Sequence, residues 1–225
     1  MITALHRQLS RDPVMRRLIR RHGPCGIEAR RWSPYEALTR AIAHQQLNGR
    51  AAQTILARFV ALFGARRFPA PAEVLAAPPA RLRSAGFSRA KVLAIKDIAR
   101  HALAGTVPTR RAAARLTDEE IIERLLPIRG VGRWTIEMLL IFTLGRPDIL
   151  PVDDFGVREG YRRACGTRTQ PTPKALRVLG ERWKPYRSAA AWYLWRAAGE
   201  PKPAKTSAAN RASASRRSPR NGTAR

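Results

Sequence analysis

The sequence Leu125-Leu126-Pro127-Ile128-Arg129-Gly130-Val131-Gly132-Arg133-Trp134-Thr135 constrains this chain more than any other stretch. Two helix-compatible segments are joined here by a turn holding two glycines. Gly130 and Gly132 open backbone conformations closed to other residues and let another molecule approach the main chain. A long apolar helix candidate follows, and then a Pro-bounded segment delivers Asp153 and Asp154. A turn that feeds a helix N-terminus presents exposed N–H groups to an anion. No strand precedes it and no Gly-Lys-Ser/Thr follows, so it is not a nucleotide phosphate loop.

The rest of the chain repeats the pattern of short capped helices. Asp12-Pro13 and Ser33-Pro34 each read as an N-cap followed by proline at the first helical position. Ile55, Leu56, Phe59, Val60 and Phe63 form one apolar face closed by Gly64. A second helix–Gly turn–helix unit centres on Gly86, and Thr117 with Glu120 makes a capping box. Ser88 is expected to cap the helix after Gly86, Thr172-Pro173 to open another, and Ser188 to open the last, over 189–198. No stretch alternates as a strand does, which predicts an all-α protein.

Charge narrows the partner. The 225 residues carry a formal net charge of +27. Residues 201–225 hold seven basic residues and no acid, which leaves +20 on residues 1–200. A body this basic attracts polyanions, nucleic acid before an anionic membrane surface. The tail 201–225 is poor in apolar residues and is expected to be disordered. Cys25 and Cys165 are far apart. They cannot supply a four-thiolate set, so no zinc site or iron–sulfur cluster is expected. No apolar run reaches a membrane span and no signal core is present, so the expected location is cytoplasmic, associated with the nucleoid.

LPIRGVGRWT, with Leu150-Pro151-Val152-Asp153-Asp154-Phe155-Gly156-Val157-Arg158 downstream, resembles the helix–hairpin–helix DNA glycosylase superfamily. Within it the stretch looks most like the alkylation-repair branch, 3-methyladenine DNA glycosylase II, in a compact form without an N-terminal sheet domain. Ala41-Ile42-Ala43-His44-Gln45-Gln46-Leu47 and Arg182-Trp183-Lys184-Pro185-Tyr186-Arg187-Ser188, followed by Trp195, fit the same branch. The likeness covers about residues 33–200.

That resemblance implies two helical lobes around a cleft. Residues 33–149 would form one, with the hairpin at 125–143. Residues 1–32 and 150–200 would form the other, which carries the reactive acid. It implies that Asp154 is catalytic, stabilising the positive charge that builds on deoxyribose as an N-glycosidic bond breaks. Asp153 is then the expected cap of the next helix. Trp134, Met138 and Trp195 would form the base pocket, with electron-rich rings suited to a cationic alkylated purine. Arg129, Gly130, Gly132, Arg133 and Thr135 would grip phosphate, while Gln46 and Leu47 would fill the gap left by a flipped base.

Trp134 stands where bifunctional relatives carry a Schiff-base lysine, and neither Lys91 nor Lys96 is near the motif in sequence. The expected enzyme is therefore monofunctional, acts as a monomer on double-stranded DNA with a damaged base, and needs no cofactor. The backbone carbonyls of Leu126, Ile128 and Val131 match positions that hold a structural monovalent cation, Na+ or K+. Two other readings are open at this point: a glycosylase of the same fold for other damaged or mismatched bases, and a hairpin module that binds DNA without chemistry.

Overall fold

The computed structural model describes residues 3–47 and 49–200, so the basic tail lies outside the described residues. Among the described residues every regular element is helical, in accord with the all-α expectation. The chain runs α1 (Ala4–Leu9), α2 (Pro13–His22), α3 (Pro34–His44), α4 (Gly49–Ala61), α5 (Pro71–Ala76), α6 (Pro79–Ser84) and α7 (Arg89–Leu103). It continues through α8 (Arg110–Ala113), α9 (Asp118–Leu125), α10 (Arg133–Leu139), α11 (Phe155–Cys165), α12 (Pro173–Gly180) and α13 (Arg187–Gly199). None of these helices is long and apolar enough to cross a membrane.

Local signals account for most starts. Asp12 caps α2 by accepting the N–H groups of Val14 and Met15, Ser33 caps α3, and Ser88 caps α7. The Thr117 box closes as its sequence predicts: Glu120 Oε2 accepts the Thr117 N–H at 2.7 Å and Thr117 Oγ1 accepts the Glu120 N–H at 3.2 Å. Helix α1 starts from Thr3 and α8 from Thr109. Both are too short to show a helical period, which is why the sequence pattern did not reveal them.

Ser188 departs from its expected role. Helix α13 already begins at Arg187, and Ser188 is buried inside its first turn. Its hydroxyl donates to the Arg146 carbonyl at 2.7 Å and accepts the Ile149 N–H at 3.0 Å. Arg187 grips Asp148 through Nε at 2.8 Å and Nη2 at 3.0 Å. A second departure follows α10, whose last turn widens into a π-helical stretch, Leu140–Leu144, closed by left-handed Gly145.

Two apolar clusters organise the packing. One is built from α3 to α10 around Phe59, whose ring edges meet Phe63, Phe68 and Phe87. The other joins α1 and α2 to α11, α12 and α13 around fully buried Trp183 and Tyr193. Trp183 Nε1 donates to Asp12 Oδ2 at 3.0 Å, so the cap of α2 also satisfies a buried indole. The chain leaves the first cluster at Ile149 and enters the second at Leu150. The segment pinned by Ser188 and Arg187 is therefore this crossing, and it sets where Asp154 emerges. Helices α11 and α13 pack closest of all: Gly160 lies against the Leu194 carbonyl with no room for a Cβ.

Candidate active site

Asp154 stands at the end of the crossing and is itself the N-cap of α11, its Oδ1 accepting the Val157 N–H at 2.8 Å. This corrects the expectation that Asp153 is the cap. Asp153 is exposed, while Asp154 directly precedes the first helical residue, Phe155, where a side-chain oxygen reaches the third N–H of the helix.

Two indoles complete the setting of Asp154. Trp195, from α13, donates Nε1 to Oδ1 at 2.9 Å. Trp134, in the first turn of α10, donates Nε1 to Oδ2 at 2.6 Å. Both carboxylate oxygens therefore act as acceptors, and one donor comes from each cluster's side of the crossing. Trp195 approaches this closely because residue 156 is glycine. A Cβ there would lie 2.9 Å from Trp195 Cδ1 and 3.1 Å from Asp154 Oδ1.

Trp134 is 48% exposed. Met138, four residues along the same face, is half-buried and lines a cavity of about 860 Å³. Phe142, also on its wall, packs against Trp195 with ring centroids 5.7 Å apart. Asp154, Trp134 and Trp195 do not line that cavity themselves; Met138 and Phe142 join it to them. Its far side holds Trp32, with the guanidinium groups of Arg30 and Arg40 each 4.5 Å from the ring centroid, and His44. Burial pushes the His44 imidazole below its ordinary value, and Arg40, Lys91 and Arg30 add to the effect. A histidine so placed stays neutral at pH 7.

The hairpin residues divide into two groups. Arg129, Gly130 and Gly132 are exposed, and Gly130 takes the left-handed φ of +77° that its turn requires. Arg133 is exposed but already faces Glu119 at 3.1 Å and Glu137 at 3.3 Å. Thr135 is a correction. It is 4% exposed and its side chain lines the cavity wall, because helical spacing turns position 135 inward when 134 points out. Only its main chain is left to meet a phosphate. Gln46 and Leu47 protrude after α3, with Gln46 at a left-handed φ of 55° and Leu47 40% exposed.

Sequence reasoning missed Glu137. It is buried on the inner face of α10, and burial raises its carboxyl to about 7. Arg133 works against that rise, while Asp153 and Asp154 reinforce it. The signal was an acid inside the apolar run Thr135-Ile136-Glu137-Met138-Leu139. Its folded value lies above the ordinary carboxylate value of 4.5, so the folded state holds this proton more tightly than the unfolded chain. Stability from this group is present below pH 4.5 and is lost as pH rises towards 7. Glu137→Gln is expected to remove that loss, flattening the decline in unfolding free energy between pH 4.5 and 7 by on the order of 3 kcal/mol. Urea unfolding across the window measures it, and parallel curves for the two proteins would rule it out.

The fold that carries this site is shared with known proteins. A family described as HhH-GPD superfamily base excision DNA repair protein matches residues 39–185. The chain is 45% identical over 163 residues to DNA-3-methyladenine glycosylase 1 of Schizosaccharomyces pombe, which covers 72% of each chain. It superposes on the solved structure of the S. pombe 3-methyladenine DNA glycosylase Mag1 in complex with abasic DNA with a TM-score of 0.78. That match is 41% identical and covers 86% of this chain and 96% of that one. A DNA-3-methyladenine glycosidase from Bacillus halodurans gives a TM-score of 0.80 at 30% identity, covering 88% and 90%. With the hairpin, Trp134 and Asp154 inside the matched residues, the chain belongs to the HhH-GPD superfamily of base excision DNA repair proteins.

Proposed function

We propose that this chain is a monofunctional DNA glycosylase that excises alkylated purines, of the 3-methyladenine type, from duplex DNA. The observation that carries the reading is Asp154 held by the indoles of Trp134 and Trp195, next to a half-exposed ring and a cavity large enough for a base. The similarity to 3-methyladenine glycosylases supports the substrate class.

In this reading the damaged nucleotide leaves the stack and its purine comes to rest against Trp134, Met138 and Trp195. Leu47, beside Gln46, fills the gap in the duplex. The bond between C1′ and the base nitrogen breaks, and its electron pair leaves with the base. Asp154 stabilises the positive charge left on the sugar. Water adds to C1′ and loses a proton, giving an abasic site and free base. Trp134 stands where a lyase would carry its lysine, and Lys91, Lys96 and Lys184 are engaged elsewhere, on backbone carbonyls or on Glu181. This supports hydrolysis without strand cleavage.

The hairpin grips one phosphate through the N–H after Gly132, at the start of α10, with the side chains of Arg129 and Arg133 beside it. Among the described residues no backbone N–H donates to the Leu126 or Val131 carbonyl, while that of Ile128 accepts from Val131 at 3.0 Å. These oxygens suit a monovalent cation, Na+ or K+, which would hold the turn and bridge to phosphate. The enzyme works as a monomer, in the cytoplasm on nucleoid DNA. The test is release of 3-methyladenine and 7-methylguanine from methylated duplex DNA, beside a panel of deaminated and oxidised bases. Tight binding with no base released from any substrate would leave a binding module in its place.

A further inference from the structure

Three residues spaced by three along α7 lie on one face of that helix: Lys91, Ala94 and Asp97. Each meets a different piece of the surface that faces DNA. Lys91 Nζ donates to the Ala43 carbonyl at 2.9 Å and to the Gln45 carbonyl at 2.8 Å. These are the last turn of α3 and the first residue beyond it, directly before Gln46 and Leu47. Ala94 seats the hairpin turn, and a Cβ on Gly130 would lie 3.2 Å from the Ala94 Cβ and 3.3 Å from Ile42 Cδ1. Asp97 Oδ2 accepts the Arg129 N–H at 2.8 Å. Gln45 closes the circuit by donating Nε2 to the Gly130 carbonyl at 3.0 Å.

Two features show that this arrangement is held against a cost. Among the described residues no carboxylate pairs with Lys91, although its side chain is half-buried. Its partners are the orphan carbonyls at the end of α3, where a cation also meets the negative end of the helix dipole. Next to it Gln46 occupies the left-handed region, which a residue other than glycine adopts only when its surroundings hold it there.

We propose that Lys91 is a positioning residue for base extrusion: it fixes the loop carrying Gln46 and Leu47 in the conformation that enters the duplex, in register with the phosphate-gripping hairpin. The inference rests on Gln46 and Leu47 being the residues that fill the gap in the duplex. It does not place Lys91 in contact with the reacting sugar.

The test compares one lesion, 7-methylguanine, in two settings: paired in a duplex, and unpaired in a three-nucleotide bulge. Lys91→Met keeps the length and apolar stem of the side chain and removes the donors. Its single-turnover rate is expected to fall about tenfold or more on the paired duplex and to stay within about twofold on the bulge, where extrusion is no longer needed. 2-Aminopurine placed beside the lesion should report less unstacking in the same variant. Lys91→Arg, which can still donate to both carbonyls, should recover most of the paired rate. Equal losses on both substrates, or no loss on either, would overturn the proposal. Leu47→Ala is run in parallel. If it loses nothing on the paired duplex, the gap-filling reading fails; if it slows while Lys91→Met does not, the Lys91 inference alone fails.

Discussion

Asp154→Asn is expected to fold like the parent chain and to release alkylated bases about 100- to 1,000-fold more slowly. The fold survives because asparagine caps a helix as well as aspartate does, and its carbonyl oxygen still accepts the Val157 N–H. The chemistry does not survive, because the neutral amide no longer opposes positive charge on the sugar. With the carbonyl oxygen kept in place of Oδ1, where Trp195 also donates, the substitution puts an NH2 group in place of Oδ2, so Trp134 faces another donor. Losing that hydrogen bond is expected to lower stability by about 1 kcal/mol. Single-turnover release from methylated duplex DNA, read beside a thermal melt, separates the two effects. An unchanged rate would remove Asp154 from the mechanism. Asp153→Asn is the natural control, since that exposed side chain neither caps α11 nor meets an indole.

Gly160→Ala is expected to be the most damaging single methyl group in the second cluster. Its Cβ would overlap the Leu194 carbonyl, which is backbone and cannot rotate away. Helices α11 and α13 must then separate, at a cost of about 3 kcal/mol or more. For a chain of this size that corresponds to a fall in melting temperature of roughly 6–12 °C. Activity should suffer beyond the loss of folded protein, because α11 begins at Asp154 and α13 carries Trp195. Gly180→Ala is a useful contrast. There the new Cβ meets Leu150 Cδ2, the far end of a flexible side chain, so the cost should be smaller. A Gly160→Ala protein that melts with the parent would show that the two helices are not so closely packed.

Much of this was legible in the residues alone, where the cause was local. The caps at Asp12, Ser33, Ser88 and Thr117 involve partners two or three residues away, and a sequence displays them directly. The hairpin is legible for the same reason, and the order of Trp134, Asp154 and Trp195 carries the resemblance that places them together. What failed was decided by distant partners. Ser188 carries every mark of a cap, yet its hydroxyl is taken by Arg146 and Ile149, some forty residues earlier. Arg133 looks like free charge for a phosphate until α9 brings Glu119 beside it. Lys91 seemed remote from the hairpin because sequence distance was the only distance in hand; through α7 it sits beside it. Thr135 shows a subtler limit: a motif names which residues recur, but the helix phase decides which of them face out.

One consequence of the Trp134 contact is optical. Of the five tryptophans, Trp183 is sealed in the second cluster, Trp32 sits under two guanidinium groups, and Trp192 packs against Tyr193 and Arg196. Trp134 alone is both open to solvent over nearly half its surface and hydrogen-bonded to the carboxylate at the centre of the site. Any base or sugar that arrives there must cover that ring or take its partner. The protein's own emission is therefore a gauge of whether the site is filled, readable during turnover without attaching a dye to protein or DNA.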